Sequence, residues 1–165
     1  MGVAVSPHIR RLREKVGHDL LVLPAVSVLP IDGAGRLLLV ESIETGEWQT
    51  IGGAVEPHES PRDAGVREAL EEAGVVVELG RLVDVLGGPG FDITYPNSDV
   101  VSYVAIVFEA LVSSGAPNPD GDETSAVGWW TFEELDDLPL SSFTRVLFEA
   151  LPLREMLGSR APFSQ

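Results

Sequence analysis

Glu68, Glu71 and Glu72 stand three and four residues apart in the run Arg67-Glu68-Ala69-Leu70-Glu71-Glu72. On a helix that spacing sets like charges side by side, and each such pair costs about 0.2–0.5 kcal/mol. At ~100° per residue, with Glu68 at 0°, Glu71 falls near −60° and Glu72 near +40°, so three carboxylates share roughly a 100° arc. A divalent cation reverses the repulsion, and clustered carboxylate oxygens suit Mg²⁺ or Mn²⁺ better than softer metals. For these six residues alone, a solvated acidic helix face is the competing explanation.

The flanking residues supply what such a face needs. Ser60-Pro61-Arg62-Asp63 has the form of a helix start: Ser60 as cap, Pro61 at the first helical position, Asp63 where a capping acid reaches back. Gly74 marks the stop, because glycine tolerates the left-handed conformation past a helix end. Val66, Ala69, Leu70 and Ala73 fall opposite the acids and form the side expected to face a core. Upstream, the pair Gly52-Gly53 lets backbone approach a metal with no Cβ in the way. With Gly53, Glu59, Arg67, Glu68, Glu71, Glu72 and Gly74, the chain fills every fixed position of G-x5-E-x7-R-E-x-x-E-E-x-G. Glu59 and Arg67 at those offsets set the solvated-face reading aside.

From Gly53 to Val75 the sequence resembles the Nudix box, the signature of Mg²⁺-dependent hydrolases of nucleoside diphosphates linked to another moiety. The resemblance implies that Glu68, Glu71 and Glu72 hold Mg²⁺ (or Mn²⁺), assisted by the backbone carbonyl of Gly52. It implies that Glu59 and Arg67 pair and lock the loop against the helix. The general base is then a box glutamate, Glu71 or Glu72, or an acid on a later loop, where Glu123 is the candidate; a loop acid in solvent is the equal alternative. Ile51 and His58 depart from the residues common before the glycine pair and before the loop glutamate, and neither is a side-chain ligand. The SQPWPFPxS motif of the NADH-cleaving group is absent, and Pro89 and Tyr95 do not match a subclass marker cleanly. The expected reaction is cleavage of the pyrophosphate link of an ADP-ribose-like compound, a nucleoside triphosphate or a dinucleoside polyphosphate. A Nudix-fold module that senses a nucleotide without turnover is the alternative.

A chain of 165 residues is expected to make a single domain, 1–165. It has no cysteine, which excludes disulfides and thiolate chemistry. The start lacks the apolar core of a signal peptide, and Leu20 to Ile31, broken by Pro24, Ser27 and Pro30, is too short to span a bilayer. A cytoplasmic protein with no membrane partner is expected. The net charge of −15 argues against nucleic acid polymers, and no Lys or Arg occurs from Leu82 to Thr144. A phosphorylated small molecule must therefore be neutralised largely by metal. Arg10, Arg11, Arg13 and Lys15 form the exposed face expected of an N-terminal helix at about 7–16, through which a homodimer is compatible with either function.

Strands are expected over Leu20–Leu29, Arg36–Glu41, Val75–Leu86, Val100–Leu111 and Val127–Thr131. Thr131 to Glu134 has capping-box spacing, and a last helix from about Ser142 buries Phe143, Val146, Leu147 and Leu151. Gly87–Ser98 and Ser113–Ser125 are the loose segments. The order of elements is that of an α/β fold with a mixed β-sheet between helices, the α/β/α sandwich that the Nudix fold implies. Trp48, Phe91 and Tyr95 are the aromatic candidates to border the substrate, with core packing the other reading for Trp48.

Overall fold

The computed structural model describes residues 6–158. In chain order its elements are helix α1 (Pro7–Val16), strands β1 (Leu21–Pro30), β2 (Leu37–Ser42), β3 (Trp48–Gln49) and β4 (Ile51–Ala54), and helix α2 (Pro61–Ala73). Strand β5 (Val76–Leu86), a 3-10 turn (Pro89–Phe91), β6 (Asp92–Thr94), β7 (Val100–Ser114) and β8 (Thr124–Trp130) follow. Helices α3 (Phe132–Leu135), α4 (Ser142–Ala150) and α5 (Leu153–Gly158) complete it. Among the described residues no helix is long and apolar enough to cross a membrane.

One sheet runs β4-β1-β7-β5, with β6 on β7, and a smaller one runs β3-β2-β8. β1 and β7 are parallel from Leu21↔Val101 to Pro30↔Ala110, whereas β4, β5 and β6 pair antiparallel, so the large sheet is mixed. Proline is unexpected in a central strand because it cannot donate to the ladder. Pro24 is accommodated just past the last β1–β4 pair, Ala25↔Ala54, where only its carbonyl is used, accepting from Val55 N–H at 3.0 Å.

The centre of the large sheet is buried on both faces, while much of edge strand β5 is exposed. Leu23, Ala25, Val101, Tyr103 and Ala105 pack toward α4 and α5, while Val26, Val28, Phe108 and Ala110 pack toward α2. The α2 interface corrects the expected apolar side. Ala64, Gly65, Ala69 and Ala73 are buried there, but Leu70 is 55% exposed and Val66 37%. The helix lies too close to the sheet for large side chains: a Cβ on Gly65 would stand 3.1 Å from Val28 Cγ2 and 3.2 Å from Leu79 Cδ1. Small residues let the backbone come down, and the larger ones turn outward.

Several boundaries move. The last strand begins at Thr124 rather than Val127, and β3, β4 and β6 lie in stretches without alternating hydrophobicity. Glu134 accepts the Thr131 N–H at 2.8 Å, the reach-back bond of a capping box at α3. Helix α4 fully buries Leu147 and Thr144, with Phe143 and Val146 partly buried against the core and Leu151 buried just beyond its end.

Candidate active site

Helix α2 carries the acids, and its ends are fixed by the residues that punctuate it. Ser60 Oγ accepts the Asp63 N–H at 3.1 Å and donates to Asp63 Oδ2 at 2.6 Å. Gly74 closes the helix at φ 65°, its N–H reaching Leu70 O at 3.1 Å. β4 runs along β1 and brings the glycine pair under the helix. A side chain on Gly52 would strike the Val26 carbonyl of β1, and one on Gly53 would strike the Glu68 carboxylate. Glycine is thus dictated twice by close approach.

Glu72 is the site's most buried acid, 4% exposed, with its Oε2 accepting the Gly52 N–H at 3.0 Å. Burial pushes its pKa well above the ordinary carboxyl range, with the charges of Glu68 and Glu123 adding to the effect and the Gly52 bond opposing it. Glu68 is raised chiefly by burial, against the pull of Arg67. Glu71 is mostly exposed, at the mouth of the site.

Arg67 sits among the carboxylates. Its Nε and Nη2 grip Glu59 Oε1 and Oε2 at 2.7 and 3.0 Å, a bidentate pair that holds Glu59 below its ordinary pKa. Glu59 Oε2 also accepts the Glu56 N–H at 3.0 Å, and Nη2 donates to Ala54 O at 3.3 Å, so the segment between β4 and α2 is fastened to the helix. Nη1 bonds Glu68 Oε1 at 2.7 Å and Glu71 Oε2 at 3.0 Å. With two carboxylates turned onto Arg67 and the third onto Gly52, no three acids or histidines among the described residues close on one point. The donor set fits a hard divalent ion in chemistry and burial; Glu68 and Glu71 must release Nη1 to serve one.

The turn before β8 adds the fourth acid. Asp120 Oδ1 accepts the N–H groups of Asp122, Glu123 and Thr124, each at 2.9 Å. Thr124 Oγ1 donates to Glu72 O at 2.8 Å, and Asn118 N–H donates to Ala73 O at 2.9 Å. The last carbonyls of α2 are therefore satisfied by this loop, which places Glu123 close enough for its charge to raise both Glu68 and Glu72.

These groups line a cleft of about 710 Å³. Gly52, Arg67, Glu68, Glu71, Glu72 and Glu123 are all in its wall, as are Asp120 and Asp122; Glu59 stands behind Arg67. The described lining includes two guanidiniums, Arg67 and Arg13, both engaged with carboxylates. Of the aromatic candidates, Tyr95 lines the cleft, its hydroxyl 2.7 Å from that of Tyr103. Trp48 and Phe91 are not in its wall. Trp48 packs edge-on against Trp130 at 4.9 Å, and Phe91, 4% exposed, packs against Phe143 at 5.4 Å. Distant partners on β8 and α4 draw both rings into the core.

The basic helix face also needs revising. Arg10, Arg11 and Lys15 are exposed, but Arg13 turns inward, and Ser6, Ile9 and Arg13 line the cleft with Asn97 and Asp99. Besides the nearby Gly17 and Asp19 carbonyls, Arg13 contacts Asp99 and Val100, which lie far along the chain and are not marked by its local sequence.

The family model described as NUDIX domain matches residues 21–151. A MutT-like protein of Streptomyces ambofaciens is 32% identical over 117 residues, 71% of this chain and 69% of its own length. The crystal structure of a MutT NUDIX hydrolase from Burkholderia pseudomallei is 31% identical, with a TM-score of 0.63 over 78% of this chain and 97% of that one. An ADP-ribose pyrophosphatase from Streptococcus suis is 29% identical, with a TM-score of 0.60 over 87% and 96%.

Proposed function

The chain belongs to the NUDIX family of pyrophosphohydrolases, and on that premise we propose that it is a Mg²⁺-dependent enzyme splitting the pyrophosphate link of a nucleoside diphosphate derivative. The observation that carries this reading is Glu72, a carboxylate held at 4% exposure beside Glu68, with Glu123 near enough to perturb both. Burying an acid among acids destabilises a fold, and cation binding gives the arrangement a use.

Glu68, Glu71, Glu72 and the Gly52 carbonyl are the groups that would hold the ion. A divalent cation held there would supply charge neutralisation for phosphate oxygens and would lower the pKa of the attacking water. Arg67, fixed by Glu59, keeps the acids of α2 in register with the glycine pair. Glu123, or Glu71 at the mouth, takes a proton from the attacking water. The water oxygen then forms a bond to one phosphorus as the bridging P–O bond breaks, leaving a nucleotide and a phosphorylated remainder. Leu23, Val101 and Tyr95 in the same cleft offer apolar and aromatic surface to the rest of the substrate. ADP-ribose-like compounds, nucleoside triphosphates and dinucleoside polyphosphates fit this division, with the cytoplasm as the compartment.

The test is a turnover screen with Mg²⁺ against ADP-ribose, nucleoside triphosphates, diadenosine polyphosphates and sugar nucleotides. Absence of turnover of all of them by folded protein refutes the reading. Glu72→Gln is expected to lower the rate by orders of magnitude with the fold preserved, and near-wild-type turnover would refute the metal role.

A further inference from the structure

Helix α1 lies outside residues 21–151, the stretch shared with the family, yet Ser6, Ile9 and Arg13 stand in the wall of the same cleft. None of its residues is fully buried, and Ile9 packs partly buried against the core. Arg13 ties it to the chain beyond. The Arg13 side chain is only 11% exposed, with Nη1 donating to Asp19 O at 2.6 Å and Gly17 O at 3.1 Å, and Nη2 donating to Val100 O at 2.8 Å. Its Nε is buried 3.4 Å from Asp99 Oδ2.

Asp99 is in turn the hub of the hairpin loop joining β6 to β7. It accepts from Asn97 Nδ2 at 3.0 Å, donates its N–H to Asn97 Oδ1 at 3.1 Å, and meets His18 Nδ1 at 2.7 Å. The loop carries Tyr95, Pro96 and Asn97 into the cleft. One guanidinium therefore fixes two elements that face the cleft, at a distance in sequence from every acid of α2. Its charge also acts on Tyr95 and Tyr103.

Resting on the hydrolase reading above, we propose that α1 is the substrate-discriminating wall of this enzyme, and that Arg13 is the positioning residue that sets it against the Tyr95–Asp99 loop. The family box handles the diphosphate. The moiety beyond it is selected by Ile9 of α1 together with Tyr95 and Asn97 of the loop, which line the same cleft and offer apolar, aromatic and amide surface suited to a planar, uncharged group.

The experiment is steady-state kinetics on the full chain with Mg²⁺ and two substrates of different shape, ADP-ribose and a nucleoside triphosphate. Arg13→Gln is expected to raise KM by roughly tenfold, more than it lowers kcat, with Arg13→Lys between it and wild type because the charge persists without the fork. Mn²⁺ titration followed by electron paramagnetic resonance is expected to show wild-type metal affinity in Arg13→Gln, since Arg13 stands apart from the acids of α2. Ile9→Trp, which keeps the Arg13 guanidinium and narrows the cleft, is expected to shift the kcat/KM ratio between the two substrates by roughly tenfold. It decides the matter should Arg13→Gln fail to fold. A lowered melting temperature with KM and substrate ratio both unchanged overturns the proposal and leaves the hydrolase reading intact. No turnover by wild type removes both.

Discussion

Replacing Thr124 by valine separates the loop that carries Glu123 from the helix that carries Glu72. Thr124 is fully buried, and its hydroxyl both donates to Glu72 O at 2.8 Å and accepts from Asp120 N–H at 3.1 Å. Valine has nearly the same shape, so little cavity forms and the loss is polar. A helix-end carbonyl and a loop N–H are left without their partner, each worth about 1–3 kcal/mol when buried, and Thr124→Val is expected to destabilise by about 2–4 kcal/mol. For a chain of this size that lowers Tm by roughly 5–15 °C. Thr124→Ser keeps the hydroxyl and is expected to cost about 1 kcal/mol for the missing methyl. Urea unfolding followed by tryptophan fluorescence, in chelator so that metal linkage is absent, reads both. The same valine variant is expected to lose kcat, because Glu123 no longer has a fixed position over the α2 acids. A Thr124→Val protein within about 0.5 kcal/mol of wild type would mean that the loop is not anchored through this hydroxyl.

Glu72→Gln is expected to stabilise the metal-free protein while abolishing turnover. The folded-state pKa of Glu72 is raised, so the unfolded chain releases its proton first, near pH ~4.3. The destabilisation of wild type then grows as pH climbs from there and is complete above the folded pKa. The variant's advantage in Tm should accordingly be larger at about pH 7.5 than at about pH 4.5, and Mg²⁺ should raise the Tm of wild type only; an advantage that shrinks with pH contradicts the assignment. Leu70→Gln is expected to change unfolding free energy by less than about 0.5 kcal/mol, since a residue 55% exposed has little burial to lose; a loss of about 2–5 kcal/mol in chemical denaturation would restore Leu70 to the core. Trp48→Phe is expected to cost about 1–2 kcal/mol through its lost contact with Trp130, with KM unaltered. A raised KM in steady-state kinetics would return Trp48 to the substrate site.

What was legible in the chain was what neighbouring residues decide among themselves. Ser60, Pro61 and Gly74 delimit α2 because capping and left-handed backbone are local chemistry, and the offsets of Glu59 and Arg67 survive as a bidentate pair. The inward side of α2 was misread where hydropathy outweighed distance. Leu70 is the more apolar residue, but at the separation that Gly65 permits from Val28 only alanine and glycine fit. Ile51-Gly52-Gly53-Ala54 has no alternation to mark β4 as a strand, and it is one because β1 pairs with it. Core packing was open to Trp48 from its place beside a strand end, but the positions of Phe91 and Arg13 depend on Phe143 and Asp99, which are separated from them by whole elements.

The position of Glu72 explains why the surrounding loop is built as it is. A buried acid weakens the last turns of α2 just where helix carbonyls lose their internal partners. Gly52 N–H supports the carboxylate, Thr124 Oγ1 supports the Glu72 carbonyl, and Asn118 N–H supports Ala73 O, so support arrives from both sides of the residue that needs it. That support comes from β4 and from the turn bearing Glu123, the two segments that line the cleft beside the acids. Stabilising the buried charge and assembling the site are thus one act of folding. By contrast, the bonds that Arg13 of α1 makes run to Asp19, Asp99 and Val100, outside α2 and the turn bearing Glu123. Change at Ile9 or Arg13 can therefore alter which substrate fits without disturbing the groups that cleave it.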